Sequence, residues 1–166
     1  PVLLVLSPSK GQDFSCPMPT CSYTTPEALE QSQLLINSVR SYSPEGLAKL
    51  MSMSDRLAQL NWGRFREFST PFTPENGRPA LYAFQGDVYS AIPVGAYGTE
   101  QLDYAQRHLR ILSGLYGALR PLDLIQPYRL EMKTKLPNPR GANLYQFWGD
   151  RITGLLNRQL EAMEEP

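Results

Sequence analysis

No apolar run in this chain exceeds five residues, the length of the Val2 to Leu6 segment, and that segment is followed at once by Ser7 and Pro8. A membrane helix needs about 20 apolar residues, so none is expected, and no basic segment precedes the run as a secretory signal would require. The expectation is therefore a cytoplasmic protein without a membrane partner. Five β-favouring residues closed by Pro and Gly read as a strand buried on both faces, with Ser7, Pro8, Ser9, Lys10 and Gly11 as its C-terminal loop. Hydroxyls and an ammonium at a strand end suit an anionic ligand. With 166 residues, 42% of them apolar and 19% charged, the chain is long enough for one domain with a real core, and residues 1–166 are read as a single domain.

Helix signals follow. Thr25, Pro26 and Glu27 supply a cap, an N1 proline and a first-turn acid for a helix to about Arg40. Ser43 and Pro44 start a second, short helix through Leu47, Leu50 and Met51, and Ser54 caps a third that carries Leu57, Ala58, Leu60, Phe65 and Phe68 to about Glu67. Two short helices across a tight turn resemble the helix-hairpin-helix motif, whose backbone N–H groups grip a phosphate, with Ser52 and Ser54 here where glycine is usual. Ala80 to Phe84 reads as a second strand ending in Gln85, Gly86, Asp87, Val88 and Tyr89, and a helix runs from Thr99 towards Leu112. Leu144 to Trp148 and Ile152 to Leu160 read as a further helix, its Tyr145 and Trp148 assigned to the core.

Charge is unevenly divided. Between Arg107 and Arg151 there are eight Lys or Arg residues against three acids, a surplus of five in a chain whose net charge is zero. An anion-binding face is the reading, with Lys10, Arg64, Arg110, Arg120 and Arg129 as phosphate contacts and Ser52 and Ser54 holding the backbone of DNA, duplex or distorted. Nothing resembles a recognition helix for the major groove, so binding is expected to be weakly sequence-selective. The alternative is an enzyme of lyase or glycosidase type acting on a nucleotide or base. Asp87 or Asp123 would then be its acid or base, Lys10 and Arg129 its anion clamps, and Tyr89, Tyr116 or Tyr128 its stacking faces. On either reading Ser7, Lys10, Gly86, Asp87, Arg120, Asp123 and Arg129 are expected to meet in one cleft. Cys16 and Cys21 lack further ligands, and His108 is the single histidine, so reduced thiols are expected and neither a metal nor another cofactor is assigned.

Several strings, LSPSK at 6–10, MSDRLAQLNWGRF at 53–65, AFQGDVY at 83–89, HLRILSGLYGALRPLDLIQPYRLEM at 108–132 and LYQFWGDRIT at 144–153, resemble the YaaA family of peroxide stress proteins in sequence and order. The resemblance implies a mixed α/β (α+β) fold of uncommon topology, with a small central sheet, surrounding helices and the helix-hairpin-helix-like element. It also implies a cytosolic protein that limits iron-linked oxidative damage to DNA, which it binds through a basic cleft. Members of that family continue past the position of Pro166 with a segment rich in Lys and Arg, and usually carry Ala where Ser9 stands here. A chain shortened in this way is expected to expose an apolar sheet edge and to be prone to self-association.

Overall fold

The computed structural model describes residues 1–163. Strand β1 (Leu4–Leu6) pairs in parallel with β3 (Leu109–Ser113), Leu4 opposite Leu109 and Leu6 opposite Ile111. Parallel neighbours need a crossover connection. Here it holds helices α1 (Leu29–Val39), α2 (Pro44–Met51), α3 (Asp55–Glu67), α4 (Ala80–Ala83), α5 (Asp87–Ser90) and α6 (Thr99–His108). Strand β4 (Gly117–Leu119) returns antiparallel beside β3, with Ser113 opposite Gly117 and Ile111 opposite Leu119, giving the order β1-β3-β4. A two-stranded sheet joins β2 (Arg78–Pro79) to β5 (Leu124–Ile125), and α7 (Leu144–Trp148) and α8 (Arg151–Ala162) close the described chain.

One register decides where the functional groups go. Because β1 and β3 run the same way, Ser7 and Gly114 leave the sheet at a common end. Because β4 starts at that end, Arg120 emerges at the other, beside Arg110 and the C-terminus of α6.

The core is one continuous cluster in which Leu35, Ile36, Leu47, Phe65, Ile111 and Trp148 are buried. Full burial of each such side chain stabilises by about 1.5–3 kcal/mol. Arg40, at the end of α1, donates from Nε to the Phe65 carbonyl (2.9 Å) and from Nη2 to the Phe68 carbonyl (2.7 Å), satisfying the free C-terminal carbonyls of α3.

The serine caps of α2 and α3 form as expected: Ser43 Oγ accepts from the Gly46 N–H at 3.1 Å and Ser54 Oγ from the Leu57 N–H at 3.2 Å. Other expectations are corrected. Val2 to Leu6 is not buried on both faces. β1 is an edge strand paired only with β3, and Leu4 and Val5, which point to opposite faces, are 59% and 44% exposed. Ala80 to Phe84 is a single helical turn: the strand ends at Pro79, and the Ala80 and Leu81 N–H groups donate to the Asp123 and Pro121 carbonyls. Helix α1 starts at Leu29 rather than after Thr25, whose carbonyl instead accepts from Arg120. The C-terminal helix is broken at Gly149, where φ is +52°, and Tyr145 is exposed rather than in the core.

Candidate functional site

The loop after β1 is held from below. Ser9 Oγ donates to the Gly11 carbonyl (2.6 Å) and accepts from the Gln85 N–H (3.0 Å), and Gly86, at φ +109°, lets the chain turn under Ser9 into α5. Tyr89, buried beneath, donates its phenol to the Ser7 carbonyl at 2.5 Å. Burial pushes that phenol up to about 12, so it stays a donor at neutral pH. Ser7, Gly86 and Tyr89 thus shape the loop that presents Lys10. Asp87 is exposed in the first turn of α5, where an acid favours the helix N-terminus.

Beside this loop the chain runs extended from Tyr128 to Leu130 and then turns, the Thr134 N–H donating to the Glu131 carbonyl at 3.0 Å. Arg129, Glu131 and Lys133 stand on one side, and Leu130 is buried on the other. Its backbone lies so close to the β3–β4 turn that a Cβ on Gly114 would sit 2.2 Å from the Leu130 carbonyl oxygen, so glycine is required there. Gln12 clamps the start of the segment: its Nε2 donates to the Tyr128 carbonyl (2.9 Å) and its Oε1 accepts from the Tyr128 N–H (3.2 Å). The Tyr128 hydroxyl shares a 2.8 Å hydrogen bond with Ser113 Oγ, which also accepts from the Tyr116 N–H (3.0 Å). Tyr116 and Tyr128 are buried edge to face, 5.1 Å between ring centroids. Tyr128, which borders one groove, is the floor of the site, and Tyr116 and Tyr89 lie outside both groove linings; all three rings are buried, so none offers a face for stacking on a ligand.

Above that floor three cations share one carboxylate. Glu131 lies 3.7 Å from Lys10 Nζ, 3.4 Å from Arg129 Nη2 and 3.5 Å from Lys133 Nζ. Partial burial pushes its carboxyl up, but Lys10, Lys133 and Arg129 outweigh this and hold it below the ordinary glutamate value. Arg129 Nε is buried with no partner among the described residues, which leaves one donor of its fork unused. Two grooves of about 330 Å³ each flank the cluster and share Lys10, Arg129, Glu131 and Lys133. One extends to Lys135 and to Ser52 in the α2–α3 hairpin, the other over Pro8, Ser9 and Met132 to Tyr145.

The hairpin reaches the site, with the Ser52 and Met53 N–H groups turned back on α2. Ser52 adopts the left-handed region at φ +50° and ends α2, its N–H donating to the Ala48 carbonyl, which also accepts from the Met53 N–H at 3.1 Å. Ser54 Oγ is occupied as the cap of α3.

The remaining candidates lie elsewhere, so the single cleft expected from sequence divides into separate places. Asp123 is fully buried at the opposite end of the sheet. Burial pushes its carboxyl up, against which three donors hold it: the Arg120 N–H (2.7 Å), Arg120 Nε (3.0 Å) and Thr24 Oγ1 (2.5 Å). Arg120 is further tied to the Thr25 carbonyl at 2.7 Å and lies 3.6 Å from Glu27. Arg110 is buried and spends Nη1 on the Gln106 and Leu109 carbonyls (2.6 and 2.8 Å). Arg120 and Asp123 fasten the loop after β4, and Arg110 closes the end of α6, so these bonds serve the fold. Arg64 sits half-buried on α3, donates to Asn61 Oδ1 at 3.3 Å, and faces a third groove with Glu67 and Gln126. Burial pushes its guanidinium down.

Glu131, Lys133 and Tyr145 escape the sequence reading as site residues. For the first two no local pattern carries a signal, because the turn closed by the Thr134 N–H on the Glu131 carbonyl brings Lys133 beside Glu131. For Tyr145 it lies in Asn143: a cap there starts the helix at Leu144, which puts residues 144, 147 and 148 on one side and 145 on the other. Cys16 and Cys21 are free thiols, and burial pushes Cys21 up despite a hydrogen bond with Tyr82. Among the described residues no cluster of His, Cys, Asp or Glu could hold a metal ion, and no helix is long and apolar enough to cross a membrane.

Comparison with known proteins bears on this arrangement. The family described as peroxide stress protein YaaA matches residues 2–165. A UPF0246 protein of Aliivibrio fischeri is 54% identical over 161 residues, covering 97% of this chain and 62% of that protein. A UPF0246 protein of Alteromonas mediterranea is 55% identical over a stretch of the same length and the same coverage. The chain thus spans about 62% of the length of the curated relatives it matches. With its matched strings contributing Lys10, Tyr128, Arg129 and Glu131 to the site, the chain belongs to the YaaA family of peroxide stress proteins.

Proposed function

We propose that this chain binds DNA through the grooves at the Ser7 end of the sheet, and that this binding is its part in the peroxide-stress role for which its family is named. The convergence of Lys10, Arg129, Lys133 and Lys135 on one pair of grooves, against Glu131 alone, carries the reading. Cations so placed neutralise phosphates and release the counterions condensed on them. Ferrous iron held on the DNA backbone is such a counterion, so its displacement would move peroxide-driven radical chemistry away from the sugar and bases. Binding of this kind follows the backbone and is weakly sequence-selective.

The enzymatic reading has less support. Asp123 is consumed by Arg120 and Thr24, the candidate tyrosines are buried, and the one acid among the groove cations is already paired.

Fluorescence anisotropy on a labelled duplex, titrated over a range of salt, tests the proposal. Replacing Lys10, Lys133 and Lys135 together by alanine is expected to weaken binding to every duplex and to lower the log–log salt slope by about 0.9 for each phosphate no longer neutralised. A folded triple variant with unaltered affinity and slope would overturn it.

A further inference from the structure

We propose that the groove between Lys10 and Tyr145 takes one unpaired nucleotide of DNA, its phosphate on Lys10, Arg129 and Lys133 and its base against the Tyr145 ring. This deepens the DNA-binding reading and rests on it. Tyr145 is 64% exposed, although Leu144, Phe147 and Trp148 of the same short helix are buried. Its position is fixed rather than loose. Asn143 Oδ1 accepts from the Gln146 N–H (2.8 Å), Gln146 Oε1 accepts from the Ala142 N–H (2.6 Å), and Trp148 Nε1 donates to the Gly114 carbonyl (2.9 Å). Trp148 also lies against Gly117, where an added Cβ would approach its ring to 2.8 Å, so helix α7 is seated on the β3–β4 turn that carries the cation segment. An aromatic ring on such a base offers contact area at small conformational cost. Tyr104 shows the contrast: it too is exposed, but its ring is stacked on His108 at 4.0 Å between centroids.

The lining divides as a nucleotide does. Lys10, Arg129 and Lys133 form a cationic side, while Pro8, Met132 and Tyr145 form an apolar one. At about 330 Å³ the groove lies at the small end of ligand pockets, ~300–1,000 Å³, which admits a nucleotide-sized group and not a duplex. Bases inside a duplex are covered on both faces by their neighbours, so only a base that has left the stack can use Tyr145. The Lys10 and Lys133 ammonium groups, on largely exposed side chains, are the donors that a phosphate in the groove can reach.

The test compares a fully paired duplex with the same duplex carrying a three-nucleotide bubble, by anisotropy at fixed salt, for the wild type, Tyr145→Phe and Tyr145→Ala. Thermal melting confirms that each variant is folded. The wild type and Tyr145→Phe are expected to favour the bubble by about 5- to 150-fold, the reach of one base–aromatic stack. Tyr145→Ala should lose that preference, its affinity for the bubble falling to its affinity for the duplex. Duplex binding with no bubble preference in the wild type overturns this inference and leaves the groove reading standing. So does a preference that survives Tyr145→Ala, or a Tyr145→Ala protein that loses both DNAs equally. A wild type that binds neither DNA overturns both readings.

Discussion

At Glu131 one carboxylate occupies the place that a phosphate would take among Lys10, Arg129 and Lys133. Its folded pKa lies below the ordinary value, so the carboxyl is ionised through neutral pH. The stability it contributes is present above the unfolded glutamate pKa and is lost as pH falls through the lower, folded one. Near neutral pH an incoming phosphate therefore competes with a charged Glu131. Glu131→Gln removes the competitor while keeping its shape, and is expected to raise duplex affinity about two- to five-fold, the range of a partly exposed ion pair of ~0.5–1 kcal/mol. Anisotropy at constant salt measures this; weaker binding would mean that Glu131 aligns the cations for DNA rather than opposing it. Lys10 and Arg129 are legible in the sequence because each follows a recognisable boundary, a strand end or a Pro-rich turn. Glu131 and Tyr145 are not, since their meaning depends on which side of a backbone segment each occupies, and that is set by packing at Leu130 and Trp148.

Among the elements, the α2–α3 hairpin shows what local chemistry can specify. Ser43 and Ser54 announce their helices because a hydroxyl at an N-cap satisfies an N–H that the helix cannot, and both bonds form. Ser52 is the uncomfortable position, a non-glycine residue at φ +50°. The left-handed conformation costs an L-residue roughly 1–2 kcal/mol, and glycine avoids this at some cost in chain entropy. Ser52→Gly is therefore expected to stabilise the fold by about 0.5–1 kcal/mol, a rise in Tm of roughly 1–4 °C, with DNA affinity nearly unchanged because the Ser52 N–H is bonded to Ala48. A lower Tm by calorimetry would show that the Ser52 side chain itself is needed. The Ala80 to Phe84 run has the composition of a strand and folds as a helical turn. A short apolar run fits either state, and here the neighbouring loop at Pro121 to Asp123 decides by accepting the Ala80 and Leu81 N–H groups.

For the whole molecule, the parallel pairing of β1 with β3 is the fact that no local pattern carries, because the partners are separated by the six helices of the crossover. It sends the basic stretch from Arg107 to Arg151 to two ends of one sheet. Arg107 closes α6 at one end, and Arg129 and Lys133 line the grooves at the other. Charge counted along the sequence cannot see this division. The pairing also leaves β1 as an exposed edge in a chain that spans about 62% of its relatives' length. The most direct measurement of the central claim compares Arg129→Ala with Arg107→Ala, both in the same basic stretch, by the salt dependence of duplex binding. Arg107 is exposed, so its removal leaves the fold intact. If the grooves bind DNA, Arg129→Ala weakens binding and lowers the log–log slope by about 0.9, while Arg107→Ala changes neither. Equal effects from the two variants, or weaker binding from Arg107→Ala alone, would contradict the account.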